Sequence, residues 1–202
     1  MKNSTKVILA VFMLFAATVS ANAQFDNNRQ TKRFHMGLHA GGSINSYTGG
    51  ATEYMDPITS FTGGVNFDFQ IAPVPVYIGF DLNYLNLGYK YTYGSSGKRY
   101  DANCFNLPIY VGYHFNVAPN FFISPHVGYS MSYLVDDWDK SNYDWDNNRF
   151  NSAVRFGCGF NFGRLTFDLS YDLGLKNWGS SKKTSYTRTF FATIGVNLAG
   201  CR

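Results

Sequence analysis

The sequence predicts an all-β protein, an eight-stranded antiparallel up-and-down transmembrane β-barrel. Three observations carry this expectation. Apolar and polar residues alternate with a period of two along most of the chain, which is the strand signal. The composition is aromatic-rich and charge-poor, with 18% aromatic residues, 15% charged residues and 20 glycines in 202 positions. Ordinary soluble domains carry about 25% charged residues. The links between alternating segments are by turns long and short, as in a barrel with outer loops and tight periplasmic turns.

The chain opens Met1-Lys2-Asn3-Ser4-Thr5-Lys6, runs almost unbroken in apolar residues from Val7 to Val19, and reaches Ala21-Asn22-Ala23. A basic start, a short apolar run and an Ala-x-Ala exit describe a secretory signal peptide over residues 1–23. The apolar run falls short of the roughly 20 residues of a spanning helix. Gln24 follows, not a cysteine, so a lipid-anchored start is not expected. Residues 24–202 are then one barrel domain. With Lys2 and Lys6 removed, 15 of the 17 basic residues remain against 13 acidic ones, and so weak a charge excess argues against a nucleic-acid partner.

Eight strands are expected in order. The first, over 34–45, alternates weakly. In 61–71 the odd positions Phe61, Val65, Phe67, Phe69 and Ile71 oppose Thr62, Asn66, Asp68 and Gln70. In 76–84, Val76, Ile78, Phe80, Leu82 and Tyr84 oppose Tyr77, Gly79, Asp81 and Asn83. Weaker alternation follows at 103–115, 121–133 and 150–162. The clearest strand is 165–175, where Leu165, Phe167, Leu169, Tyr171, Leu173 and Leu175 alternate with Thr166, Asp168, Ser170, Asp172 and Gly174. The last is 188–198. Most are near the 9–11 residues of a tilted membrane strand. Long polar links fall near 47–58, 92–99, 135–148 and 178–187, and short ones at 72–75, 116–120 and 163–164. Two features resist the pattern. Leu85, Leu87, Tyr89 and Tyr91 switch parity, which a bulge near Tyr84-Leu85 or a ribbon rising above the membrane would explain. Pro108 and Pro125 sit inside strands, where each would mark a bulge.

Alternation alone leaves the barrel's facing open, because a soluble lipocalin-like barrel puts its apolar residues inside. Bulk decides. An eight-stranded barrel has an interior just wide enough for side chains. The polar face carries Gly64, Gly79, Gly112, Gly128, Gly157, Gly159, Gly174 and Gly195, while the apolar face holds most of the Phe, Leu, Ile and Val. The apolar face is therefore expected to meet lipid. If Gly163-Arg164 is a two-residue turn, Phe162 faces Leu165 and Arg155 faces Asp172 across the interior. Asp168 and Lys176 extend that face, and Asn66 should oppose Asp81. The Arg155, Asp172 and Asp168 group is read as an interior charge pairing that satisfies buried polar groups, in preference to a gate or ligand site.

Four stretches stand out along the chain: Gly37-Leu38-His39-Ala40-Gly41-Gly42, Phe61-Thr62-Gly63-Gly64-Val65, Leu82-Asn83-Tyr84 with Gly88-Tyr89-Lys90, and Asn106-Leu107-Pro108-Ile109 leading to Gly112-Tyr113. Together they resemble the PorT-like outer-membrane β-barrel family of Bacteroides-type, Gram-negative bacteria. The resemblance spans nearly the whole mature chain. It implies an eight-stranded barrel in the outer membrane, with no known activity for most members and a tie to protein secretion for some. Such barrels commonly end on an aromatic residue, whereas this chain ends Leu198-Ala199-Gly200-Cys201-Arg202.

Catalytic, cofactor and metal sites are not expected. His35, His39, His114 and His126 share the inward parity, but no spacing brings three to one point. Ser124 and His126 lie two apart on one face, a weak nucleophile–base signal. Cys104, Cys158 and Cys201 form no disulfide framework. The loop carrying Asp137, Trp138, Asp139 and Trp145 is acidic and aromatic. It lacks the glycine and terminal glutamate of a calcium loop, and is read as a solvated loop near Lys182 and Lys183, with lipopolysaccharide and protein partners as its candidate contacts. Three roles stay open: a structural or loop-displaying barrel, an accessory part of a secretion assembly, and a soluble periplasmic binding barrel.

Overall fold

The computed structural model describes residues 34–50, 54–71, 74–93, 96–135, 149–176 and 184–199. Twelve strands follow in order: β1 (Phe34–Gly49), β2 (Met55–Asp56), β3 (Ile58–Ile71), β4 (Val76–Asn86), β5 (Tyr89–Tyr93) and β6 (Ser96–Tyr100). Then come β7 (Asn103–Tyr113), β8 (Phe115–Ala118), β9 (Phe121–Leu134), β10 (Phe150–Phe162), β11 (Leu165–Gly174) and β12 (Ser185–Ala199). Strands pair antiparallel in the order β10-β11-β12-β1-β3-β4-β7-β9, and β9 pairs back onto β10. That last pairing closes an eight-stranded barrel and leaves no open edge in its wall. Short β8 continues β7, because Gly112↔His126 and Phe115↔Ile123 lie on one register. A second, three-stranded sheet, β2-β5-β6, is built from the first two long links.

The facing follows from side-chain bulk. Outward positions are apolar and open: Phe61 is 68% exposed and Ile194 61%, with Leu38, Ile78, Leu82, Ile109, Val127, Phe156 and Leu165 also exposed. Inward positions are Ser43, Asn45, Thr62, Asn83, Asn106, Ser130, Arg155, Asp172 and Thr189, all buried. This is the reverse of a lipocalin and the arrangement of a barrel set in lipid. Aromatic rings stack across neighbouring strands on the outer wall, as at Phe121–Phe162 (4.4 Å) and Phe67–Phe80 (4.8 Å). Inside, tyrosines use the space that glycines leave. Tyr77 faces Gly112 and Tyr110 faces Gly79 across β4 and β7, and a Cβ on either glycine would strike the opposite ring.

Register is regular where bulges are expected. The β4–β7 ladder skips Asp81, Leu82, Leu107 and Pro108, yet Phe80↔Ile109 and Asn83↔Asn106 keep the same offset. Pro108 removes a donor without inserting a residue. Pro125 pairs normally with Cys158 on β10. On its other side the register position is Tyr113, next to the break at His114, whose N–H bonds the Pro75 carbonyl instead (2.9 Å). The parity switch is also no bulge. Tyr84↔Phe105 and Leu85↔Cys104 continue one register, so Leu85 points inward while Tyr84 points out. Beyond it, Leu87 and Tyr89 stay buried, and β5–β6 departs as a separate ribbon. The interior simply becomes apolar at the long-loop end, where Tyr47, Leu85, Leu87, Tyr89, Ala102, Cys104, Leu134 and Phe191 form one cluster.

Candidate functional site

The lumen is layered along the barrel. At the long-loop end sits the apolar cluster, pinned by polar anchors: the Asn45 amide donates to the carbonyls of Leu87 and Gly88 (both 2.8 Å), and the Tyr47 hydroxyl donates to Leu87 as well. Phe191 closes its inner surface, with the Arg155 guanidinium 4.6 Å over its ring. The remaining layers, toward the short turns, are polar and enclose a cavity of about 80 Å³. That is room for a few waters at roughly 10–15 Å³ each, and far from an open channel.

Arg155 is the hub. The β10–β11 hairpin turns at Gly163, whose φ of 60° lies in the left-handed region, and the register places Phe162 on Leu165 and Arg155 on Asp172. Arg155 donates to both Asp172 carboxylate oxygens, Nε to Oδ1 at 2.6 Å and Nη2 to Oδ2 at 2.9 Å. The fork is a bidentate, charge-assisted pair, and it is sealed, with Arg155 3% and Asp172 6% exposed. Nη2 also donates to the Asn106 side chain (3.2 Å), and Nη1 lies 3.8 Å from Asp81. Asp168 is two steps along β11 and meets His126 at 3.8 Å, not the guanidinium directly. Lys176 leaves this face and sits 5.3 Å over the Phe150 ring.

Sequence reasoning paired Asn66 with Asp81 across the β3–β4 ladder, and they are register partners. It placed Asp68 and His114 on the inward face without assigning them partners, and passed over Tyr110 and Asn106; these four complete the network. The Tyr110 hydroxyl lies 3.1 Å from Asp68 and 2.8 Å from Asp81, bridging two carboxylates with a single proton. His39 Nε2 meets Asn83 (2.6 Å). Ser124 Oγ lies 2.8 Å from His114 Nδ1 and accepts from the Asn161 amide at 3.1 Å. The histidine beside Ser124 is therefore His114, not His126, because His114 occupies the register position opposite Ser124. Residues two apart on one strand are farther from each other than cross-strand neighbours. A serine–imidazole pair is a nucleophile–base geometry, but among the described residues no group holds His114 from behind: its Nε2 is buried without a hydrogen-bond partner there. A triad needs that orienting group. Cys104 is buried, with its thiol donating to the Ala102 carbonyl (3.4 Å), and Cys158 is half-buried; neither forms a disulfide among the described residues. Asp137, Trp138, Asp139 and Trp145 lie outside the described residues, as do residues 1–23 and Cys201.

The model of the outer membrane protein beta-barrel domain family matches residues 22–178. The chain belongs to that family. An outer membrane protein beta-barrel domain places the chain in the outer membrane. Solved barrels share the architecture. The outer membrane enzyme PagL superposes with a TM-score of 0.50 at 11% identity, covering 79% of this chain and 98% of its own. Ail, the attachment invasion locus protein of Yersinia pestis, in complex with the heparin analogue sucrose octasulfate, gives 0.46 at 10%, covering 82% and 99%. Neisserial surface protein A gives 0.43 at 12%, covering 81% and 97%. No curated protein matches this outer membrane protein beta-barrel domain in sequence.

Proposed function

We propose that the protein is a small, closed outer-membrane barrel of the PorT-like kind, exported with cleavage after residue 23. It works as a structural scaffold that displays its long loops, without an open pore and without catalysis. The observation that carries this reading is the filled lumen: an apolar cluster at the outer end and the Arg155–Asp172 layer beneath it leave no continuous path. The display role rests on the loop rhythm, with the acidic, aromatic 135–148 link as the surface offered to lipopolysaccharide or a protein partner. An accessory place in a secretion assembly remains the second reading, favoured by the resemblance of the 106–113 segment. The soluble binding barrel is disfavoured by the apolar outer wall.

The test is a pair of measurements on protein extracted from outer membranes. Unboiled and boiled samples should migrate differently in a denaturing gel, and the folded protein in a planar bilayer should give no unitary conductance. Recovery in the aqueous periplasmic fraction, or reproducible conductance steps, would sink the proposal. Crosslinking through Trp138 and Trp145 variants carrying a photoreactive residue then separates display from secretion.

A further inference from the structure

We propose that the lipid-facing wall binds the phosphorylated glycolipid of the outer leaflet, lipid A, with Arg188 as its phosphate ligand. The site rests on the outer-membrane placement of the barrel and is independent of the display role. Of the charged residues in the wall strands, Asp68, Asp81, Arg155, Asp168 and Asp172 turn into the lumen. Among the described residues of these strands, Arg188 is the one charge that turns outward. Its neighbours Thr187 and Thr189 are 2% and 1% exposed, whereas Arg188 shares the exposed face of β12 with Tyr186 and Phe190. A charge facing lipid is costly at the bilayer midplane and tolerated near the interface, so its height decides its meaning. Arg188 and Leu198 are ten residues apart on β12. At about 3.3 Å per residue and a tilt of about 40°, that span is about 25 Å high, the whole apolar band of such a barrel. With the long links outermost, as in this class of barrel, Arg188 stands at the headgroup level of the outer leaflet.

The surroundings fit a phosphate with acyl chains beneath it. Among the described residues the Arg188 side chain has no ion pair or hydrogen bond; the Ser46 hydroxyl bonds only its carbonyl (3.2 Å). Residues 177–187 of the sequence hold Lys182 and Lys183 and no acid. Hydroxyls flank the guanidinium instead, since Arg188 pairs with Ser46 and Tyr186 with Thr48 across β12 and β1. A guanidinium fork among hydroxyl donors is phosphate-binding chemistry. Below it the wall is hollow. Ala192 pairs with Gly42, and Ala40 with Gly63, and a Cβ on Gly42 would touch only the Ser60 carbonyl, at 3.9 Å. Phe61 and Ile194, 68% and 61% exposed, stand beside this depression as the most exposed large apolar residues. Ala192 is about 10 Å deeper than Arg188 on the same geometry, at acyl-chain depth. The depression alone would not name its occupant. The unpaired cation above it does, because the outer-leaflet lipid carries its phosphates at that level.

Protein extracted from outer membranes and delipidated in detergent would be titrated with lipid A and followed by native mass spectrometry. The expected result is a saturable 1:1 complex, weakened about tenfold or more by Arg188→Gln, the scale of one charge-assisted contact. Arg188→Lys should keep most of the binding. Arg164→Gln, which removes an exposed charge at the β10–β11 turn, should change nothing. Gly42→Leu should weaken binding by filling the depression. Dephosphorylated lipid A and phosphatidylglycerol should each bind less tightly by about tenfold or more. Equal binding by dephosphorylated lipid A, or by the Arg188→Gln variant, would overturn the phosphate site. Equal binding by phosphatidylglycerol would overturn the choice of lipid A. Should Arg188→Gln not fold, the comparison of lipids on the unaltered protein carries the test. Heat-modifiable migration and fractionation with outer membranes report on the barrel itself, so an inserted protein indifferent to Arg188 sinks this inference alone.

Discussion

Arg155 sits in a lumen lined also by Asp68, Asp81, Asp168 and Asp172, and its geometry fixes what substitutions there should do. Asp172→Ala removes both oxygens of the fork and leaves the guanidinium with Asp81 at 3.8 Å. Breaking one side of a buried pair costs about 3–5 kcal/mol, whereas replacing both partners with apolar residues of similar volume is often close to neutral. Asp172→Ala should therefore lower the urea midpoint of unfolding in lipid vesicles markedly, and Arg155→Met with Asp172→Leu should recover much of the loss. A double variant no more stable than the single one would refute a pairwise role. This pair was legible in the sequence because a Gly-Arg turn between two alternating runs leaves one register. The Asp68–Tyr110–Asp81 bridge was not. Tyr110 reads as one more aromatic residue until Gly79 opposite is seen to make room for its ring.

At the level of the element, the β10–β11 hairpin depends on Gly163. A side chain at its φ of 60° costs roughly 1–2 kcal/mol except in residues such as Asn that tolerate the left-handed region. Gly163→Val should slow folding into vesicles and destabilise the barrel by about that amount, while Gly163→Asn should stay near the parent. The turn is tied to its neighbours as well: the Gly163 N–H bonds the Asn120 carbonyl, and the Asn197 N–H bonds that of Arg164, both at 2.8 Å. All eight wall strands were readable from alternation, since one face meets lipid and the other a cramped lumen. The ribbon β5–β6 was legible only as one of two explanations of the switched parity, the other being a bulge, because alternation cannot report where the interior changes from polar to apolar. Leu85, Leu87 and Tyr89 look like a displaced lipid face and are instead the outer plug. The prolines misled for a related reason: losing a donor and inserting a residue look the same in a sequence.

For the whole molecule, the outward apolar wall predicts a depth-dependent penalty for charge. Val127 lies mid-strand on β9 and is exposed, so Val127→Arg should cost about 2–4 kcal/mol, as for a charge near a bilayer midplane. Unfolding from vesicles measures this; a loss below about 0.5 kcal/mol, the scale of an ordinary water-facing surface change, would place that wall in water. The alternation that builds the wall has a consequence for biogenesis. Because every second residue of a wall strand faces a polar lumen, the sequence of the strands does not accumulate the continuous hydropathy that stops a nascent chain in the inner membrane. The greasy exterior exists only once the sheet has closed. Until then it is dispersed among serines, asparagines and glycines, and the polypeptide can be threaded across one membrane in order to settle in another.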